Sequence, residues 1–248
     1  MSLSARRPLF FFFDFLSPYA HLAWFRLQSV CVNHPSVQLT PTPVVFAAFL
    51  NKYGHKGPAE IPPKRAYLIK DVARIAHREQ LPIPPITPPP THPFNPLLAL
   101  RVATVLLSPS QGSATATRET GEAEATKDHK RTLLAWRAID LLFVSVWGGG
   151  AGAETPEAVK KVLSQLGLDG DSVIASAMTQ ENKGRLKANT DLAIAKGAFG
   201  VPTMVVDNEI FWGFDSLPHL EAHLAGKLPD FSQLEQKWQQ VKPSVSRT

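Results

Sequence analysis

The sequence predicts an α/β fold in which a strand-helix-strand unit and a later hairpin-helix unit are separated by a long block of helices. An apolar run at residues 9–13 leads directly into a helical pattern that starts at Ser17 and Pro18. Strand patterning returns only near residue 201, after a series of amphipathic segments with proline-rich joints. With 248 residues and 44% hydrophobic content, the chain is long enough to bury a substantial core.

Composition and charge argue against several classes of partner. The net charge is +5, but the basic residues are dispersed along the chain, so we expect no nucleic-acid partner. The longest apolar runs, at residues 9–13 and 141–144, are far shorter than the ~20 residues that span a bilayer, so we expect no membrane partner. The eight histidines show no metal-ligand spacing, and we predict no metal site.

The single cysteine, Cys31, excludes a disulfide framework and a cysteine-based zinc site. One cysteine fits a reducing compartment, and we predict a cytoplasmic protein. A mitochondrial or peroxisomal location stays open, because basic residues precede the apolar run and the final residues Ser246-Arg247-Thr248 are similar to a peroxisomal signal.

The N-terminal unit is predicted to cover residues 1–45. Residues 9–13 form its first strand, because a short apolar run that ends at a polar residue is typical of a buried strand. Ser17 is a preferred N-cap and Pro18 suits the first helical position, so a helix begins there and continues with an apolar period near 3.6 to Val30. The alternating residues 37–40 form the second strand.

The helical block is predicted to cover residues 46–188. Apolar periodicity and start signals such as Thr155-Pro156 predict helices at 46–53, 63–80, 95–107, 131–147, 156–167, 172–178 and 179–196. The proline-dense residues 82–93 are predicted to be extended and stiff. Residues 108–129 carry mostly small and polar side chains that bury little apolar surface, so we predict a disordered loop there.

The C-terminal unit is predicted to cover residues 189–228, with a tail at 229–248. Strands at 201–206 and 209–212 form a hairpin around the turn Asp207-Asn208, and Asp215 is the predicted N-cap of a last helix. This order of elements is that of a thioredoxin-like fold with an all-helical domain inserted between its N-terminal βαβ and C-terminal ββα units.

The first strand-helix junction is where thioredoxin-like redox enzymes carry Cys-x-x-Cys. This chain has Ser17-Pro18-Tyr19-Ala20 there, so it cannot cycle a disulfide of its own. Sulfur chemistry at this junction needs a thiol that arrives with a ligand. A helix N-terminus offers free N–H groups and a partial positive charge, which both favour a thiolate, and the Ser17 hydroxyl adds a donor.

Five segments carry a family resemblance, at residues 13–19 (FDFLSPY), 57–67 (GPAEIPPKRAY), 146–148 (VWG), 199–203 (FGVPT) and 212–215 (WGFD). In this order they resemble the glutathione-dependent 2-hydroxychromene-2-carboxylate isomerases and the related kappa-class glutathione transferases, over nearly the whole chain. The resemblance implies a DsbA-like thioredoxin fold, bound glutathione and a homodimer.

The resemblance also implies the residues that contact glutathione, which are Ser17, Lys64, Val201, Pro202, Phe214 and Asp215. Ser17 holds the thiol and is the catalytic residue, and Lys64 meets the glycine carboxylate. A cis bond before Pro202 turns the Val201 backbone toward the ligand, where it can pair as a short strand would. Asp215 receives the γ-glutamyl amino group, next to backbone contacts from Phe214.

His55, Tyr67 and Trp147 are predicted to shape a pocket for the second substrate. The implied function is a glutathione-dependent isomerase that acts on an aromatic or conjugated electrophile by reversible addition of the thiolate. A kappa-like transferase, which would leave glutathione attached, is the alternative. A thioredoxin-fold binding protein without catalytic activity also stays open, because His55 and Phe214 depart from the family pattern.

Overall fold

A four-stranded mixed sheet forms the centre of the molecule. The computed structural model describes residues 6–108 and 121–242, and for residues 121–126 it describes the backbone alone. The strands are β1 (Arg7–Phe13), β2 (Val37–Pro43), β3 (Thr203–Val206) and β4 (Glu209–Trp212). Their order is β2-β1-β3-β4, with β2 parallel to β1, and with β3 antiparallel to both β1 and β4.

Ten α-helices lie within the described ranges. They are α1 (Pro18–Asn33), α2 (Phe46–Tyr53), α3 (Pro62–Glu79), α4 (Leu97–Leu107), α5 (Gly121–Trp147), α6 (Pro156–Ser164), α7 (Gly170–Ala177), α8 (Gln180–Ala195), α9 (Leu217–Leu224) and α10 (Ser232–Gln239). The unit β1-α1-β2 precedes the block α2 to α8, and β3-β4-α9 follows it, so the predicted fold class is confirmed. Across these same ranges, no helix is both long and apolar enough to cross a membrane.

Strand β1 is central and is buried on both of its faces. On one face Phe11 stacks on Trp24 of α1, with 5.9 Å between ring centroids. On the other face Phe12 packs in a cluster with Val205 of β3 and Ala193 of α8. The phenylalanine run therefore shows no alternation, because helices cover both sides of the sheet.

Strand β2 is longer than predicted, since it continues to Pro43 instead of ending at residue 40. Every residue of β1 has a partner in β2, from Arg7 opposite Val37 to Phe13 opposite Pro43. The two prolines, Pro41 and Pro43, are tolerated because β2 is an edge strand and a proline there removes no hydrogen bond from a second neighbour.

Helix α5 begins at Gly121, earlier than the predicted start at residue 131. It overlaps the end of the loop predicted to be disordered at 108–129, whose residues 109–120 lie outside the described part of the chain. Good helix formers, Glu, Ala and Lys, occupy this overlap, and their intrinsic propensity favours extension of the helix. Helix α10 lies within the predicted tail, and the domain boundaries at residues 45 and 188 stay predictions.

Candidate active site

Ser17 caps the first helix where β1 ends. Its Oγ accepts a hydrogen bond from the Ala20 backbone N–H at 3.2 Å, which confirms the predicted N-cap, and Pro18 occupies the first turn. In the part of the chain that the structure describes, no acceptor lies within hydrogen-bond distance of this hydroxyl, so its hydrogen is free. The half-buried hydroxyl can therefore donate to an anion at this helix N-terminus.

The loop before β3 lies at the same end of the sheet as Ser17. The Val201–Pro202 peptide bond is cis, as the resemblance implies. Thr203 is the register partner of Phe12, so Pro202 falls next to the end of β1 that leads to Ser17. The N–H and C=O of Val201 make no backbone hydrogen bond within the described residues, so they can pair with an extended ligand.

Asp215 is the third feature at this end. The Gly213 N–H donates to Pro202 O at 2.9 Å, which ties the turn before Asp215 to the cis-proline loop. Gly213 has φ 85°, and a side chain there would collide with the Asp215 carboxylate. Among the described residues this exposed carboxylate has neither a hydrogen bond nor an ion pair, so it is free to receive a cationic group.

The prediction that Asp215 is the N-cap of the last helix is wrong. Asp215 lies inside a 3-10 turn, Phe214–Ser216, and α9 begins only after it, with Ser216 at the N-cap position. The turn moves the start of α9 toward the C-terminus, so the Asp215 side chain does not cap the helix. Phe214 is 4% exposed and anchors the turn in the core.

Helix α3 meets the first turn of α1 through a carboxylate that sequence reasoning missed. The Tyr19 hydroxyl donates to Asp71 Oδ2 at 2.8 Å, and the Tyr67 hydroxyl donates to Asp71 Oδ1 at 3.0 Å. Burial, the hydrogen bond to Asp71 and the nearby charges of Asp71 and Asp215 raise the pKa of Tyr19. The Tyr19 phenol therefore keeps its proton at neutral pH and donates a hydrogen bond to Asp71.

Lys64 and Tyr67 stand on the same face of α3 as Asp71, because they precede it by seven and four positions. Lys64 is exposed and makes no ion pair within the described residues. An open cleft of about 620 Å³ lies at the start of α3. It is lined by Ala59, Glu60, Pro62, Arg65, Ala66 and Pro93, and Lys64 is not part of the lining. The spacing of Lys64, Tyr67 and Asp71 was the one signal that could have revealed Asp71.

His55 and Trp147 occupy different surroundings. His55 is exposed just after α2, and its ring centroid lies 6.1 Å from that of Tyr53, whose hydroxyl donates to Ala198 O. This contact brings His55 toward the segment that leads to Val201. Trp147 is 1% exposed, and its indole N–H donates to Phe15 O at 2.9 Å. It therefore holds the loop before Ser17 from the core side. A role in a substrate pocket stays a prediction for both residues.

Asp14 fixes the loop between β1 and Ser17. Its Oδ1 accepts from the Leu16 N–H and its Oδ2 accepts from the Phe46 N–H, both at 2.9 Å. Burial raises the pKa of this carboxyl to about 6, although the two backbone donors oppose the shift. The carboxylate holds the start of α2 against the loop that presents Ser17.

Cys31 takes no part in this arrangement. It lies near the end of α1, about 20 Å along the helix from Ser17 at 1.5 Å per residue. Burial raises the pKa of its thiol to about 11, so it is not a thiolate at neutral pH.

The structure, over the residues it describes, also has no group of three acidic, histidine or cysteine side chains that could hold a metal ion.

Comparison with known proteins identifies the family of the chain. The family model of the DSBA-like thioredoxin domain matches residues 9–225. The chain belongs to the DSBA-like thioredoxin family. This DSBA-like protein is 26% identical over 216 residues to a 2-hydroxychromene-2-carboxylate isomerase of Sphingobium xenophagum, a match that covers 86% of this chain and 96% of the relative.

A second curated relative of this DSBA-like protein is glutathione S-transferase kappa 1 of Homo sapiens, 25% identical over 225 residues, with 87% of this chain and 89% of the relative covered. A solved structure of a 2-hydroxychromene-2-carboxylate isomerase has a TM-score of 0.66 and 22% identity, and covers 95% of this chain and 100% of that one. The resemblance seen in the sequence motifs is thereby confirmed.

Proposed function

We propose that the protein is a glutathione-dependent isomerase that acts on an aromatic or conjugated electrophile. The observation that carries the proposal is the convergence, at one end of the sheet, of three groups that have no partner among the described residues. They are the Ser17 hydroxyl at the start of α1, the free backbone of Val201, and the exposed carboxylate of Asp215.

These three groups fit the parts of glutathione. The tripeptide has a thiol at its centre, a backbone that can pair with an extended strand, and an amino group at its γ-glutamyl end. Ser17 would donate to the sulfur, Val201 would pair with the cysteinyl backbone, and Asp215 would bind the ammonium group. Lys64 would then bind the glycine carboxylate as a point charge.

The chain contributes binding and electrostatics to the reaction. When bound, glutathione supplies a thiolate that can add to a conjugated carbon, permit rotation about the bond made single, and leave again. Ser17 and the α1 N-terminus stabilise negative charge at the sulfur position, and the free N–H of Tyr19 lies in the same turn. Holding both reactants in one orientation provides much of the remaining acceleration.

A kappa-like glutathione transferase is the second candidate, favoured by the match to human glutathione S-transferase kappa 1. Both reactions need the same bound thiolate and differ only in whether the sulfur leaves the product. A small aromatic or electrophilic molecule is the expected second substrate in either case. A homodimer and a cytoplasmic location stay predictions.

Titration calorimetry with millimolar glutathione tests the proposal first. Binding should be saturable in the wild type and clearly weaker in Asp215→Asn, which removes the charge that meets the amino group. Absence of binding to the wild type would discard both enzyme candidates and leave the binding protein without catalytic activity. If glutathione binds, two assays separate the candidates. Turnover of a chromene carboxylate would support the isomerase, and conjugation of glutathione to an activated aryl halide would support the transferase.

A pH titration of the bound thiol tests the role of Ser17. Ser17→Ala should raise the thiol pKa by about one unit, because one donor to the thiolate is lost. The control is Thr155→Ala, since Thr155 caps α6 with the same geometry, accepting from the Ala158 N–H at 3.2 Å far along the chain from Ser17. Equal thiol pKa values in the wild type and Ser17→Ala would contradict the assigned role.

A further inference from the structure

A second cleft, between α2, α4 and α8, combines an apolar lining with positive charge. Its volume is about 310 Å³, near the lower end of the range typical of small-molecule sites. The apolar part of the lining includes Val45, Leu97, Leu186 and Ile194, and the basic part includes Arg101 and Lys183. None of these residues belongs to the proposed glutathione site.

Arg101 is an unusual residue in its helix. It is the only charged side chain of α4, whose other residues are apolar except Thr104. Its Nε is buried without a partner, its Nη1 contacts the Met178 sulfur at 3.5 Å, and within the described ranges its guanidinium makes no ion pair. A guanidinium that has lost part of its hydration and gained only a weak thioether acceptor favours an incoming anion.

The nearby acidic side chains of α8 are already paired. Glu181 binds Arg185 at 2.6 Å, and Asp191 binds Lys187 at 2.5 Å. In the part of the chain that is described, Lys183 and Arg101 make no ion pair. The lining contains three cations, Arg101, Lys183 and Lys187, and one anion, Asp191, so it carries an excess of positive charge.

We propose that this cleft binds a small amphipathic carboxylate, with one anionic head and an apolar chain or ring. The head would accept hydrogen bonds from the Arg101 guanidinium, whose planar fork suits a carboxylate, and Lys183 would add charge at the rim. The apolar body would lie against Leu97, Leu186 and Ile194 and be removed from water. The site is separate from the glutathione site and does not depend on the proposed function.

Titration calorimetry of the full chain with decanoate, below its micelle concentration, tests this proposal. Decanoate should bind at one site, while butyrate, which lacks the apolar body, and decanol, which lacks the charge, should bind much more weakly. Arg101→Gln should weaken decanoate binding at least about tenfold, because it removes a charged donor. The control Arg185→Gln changes a paired cation of α8 outside the cleft and should leave the affinity within about twofold.

Two more variants keep the test decisive if Arg101→Gln does not fold. Lys183→Gln should weaken binding about threefold through loss of charge at the rim. Ala48→Phe should abolish binding, since Ala48 lines the cleft and the larger side chain would fill it without a change of charge. The proposal is overturned if decanoate fails to bind or if decanol binds as tightly as decanoate. It is also overturned if those of Arg101→Gln, Lys183→Gln and Ala48→Phe that fold bind decanoate like the wild type.

Discussion

The indole N–H of Trp147 donates a hydrogen bond to the carbonyl oxygen of Phe15 at 2.9 Å, across 132 positions of sequence. The bond joins the last residue of α5 to the loop that presents Ser17. Trp147 is 1% exposed, so water cannot replace the donor if the indole is removed. The helical block therefore determines where the loop, and with it the Ser17 hydroxyl, lies.

Trp147→Phe is expected to lower the free energy of unfolding by about 1–3 kcal/mol, because it leaves the Phe15 carbonyl unpaired in the core. Urea unfolding followed by circular dichroism measures this loss. Trp238→Phe is the control, since Trp238 is 73% exposed and its replacement should change stability by less than about 0.5 kcal/mol. Equal losses in the two variants would contradict the importance of the Trp147 bond.

Asp14→Ala is expected to destabilise the protein by about 2–4 kcal/mol, because the N–H groups of Leu16 and Phe46 both lose their acceptor. The wild type should also show a pH dependence from this group. Its pKa in the folded state is raised to about 6, so its contribution to stability is fully present below about 3.8 and is lost as pH rises through about 6.

The measurement for Asp14 is the free energy of unfolding of the wild type and of Asp14→Asn between pH 4 and pH 7. The difference between them should change across that range, since the asparagine does not titrate. A difference that stays constant with pH would show that Asp14 titrates alike in the folded and unfolded chain.

His21→Leu is expected to stabilise the protein by about 1–2 kcal/mol at neutral pH. His21 is fully buried in α1, packed against Phe25 and Phe143, and neither ring nitrogen has a hydrogen-bond partner within the described residues. Leucine removes the unpaired polar atoms from an apolar site. Thermal unfolding at pH 7 measures the gain, and exposed His219→Leu, which should have little effect, is the control.

The gain from His21→Leu should grow at lower pH. Burial lowers the pKa of His21 to about 3 in the folded state, so its contribution to stability is present above about 6.5 and is lost as pH falls toward 3. The leucine variant has no group that titrates at this position, so it does not lose this stability as the pH falls. An identical acid dependence in the wild type and the variant would mean that His21 is not buried in its neutral form.

Asp71→Ala is expected to destabilise the protein by about 1–3 kcal/mol, because the half-buried Tyr19 hydroxyl loses its acceptor. A double-mutant cycle with Tyr19→Phe should give a coupling energy of at least about 0.5 kcal/mol. The same cycle with Tyr67→Phe should give a smaller value, because Tyr67 is 58% exposed and water can replace the carboxylate. Strictly additive losses for Tyr19 and Asp71 would contradict the contact between α1 and α3.

Predictions that depend on local interactions agreed with the structure. The start of α1 at Ser17-Pro18, the turn Asp207-Asn208 and the helix over residues 46–53 follow from caps, turn residues and periodicity within a few positions of sequence. The predicted start of α9 was wrong, and the physical reason is also local. A 3-10 turn precedes it, and an Asp signals an N-cap equally well whether it lies at the cap or inside such a turn.

The sequence by itself determined the order of elements, the capped helix that carries Ser17, and the absence of a second cysteine that a disulfide would need. Only the tertiary structure decided that Asp14 holds Phe46, 32 positions away, and that Tyr19 meets Asp71, 52 positions away. Such partners depend on how helices pack against the sheet. The spacing on α3 can place Asp71 on one face with Tyr67, but it cannot show that Tyr19 of α1 packs against that face. The same is true of Arg101, whose Nε has no partner among the described residues, because a missing partner becomes visible only when the neighbouring helices are in place.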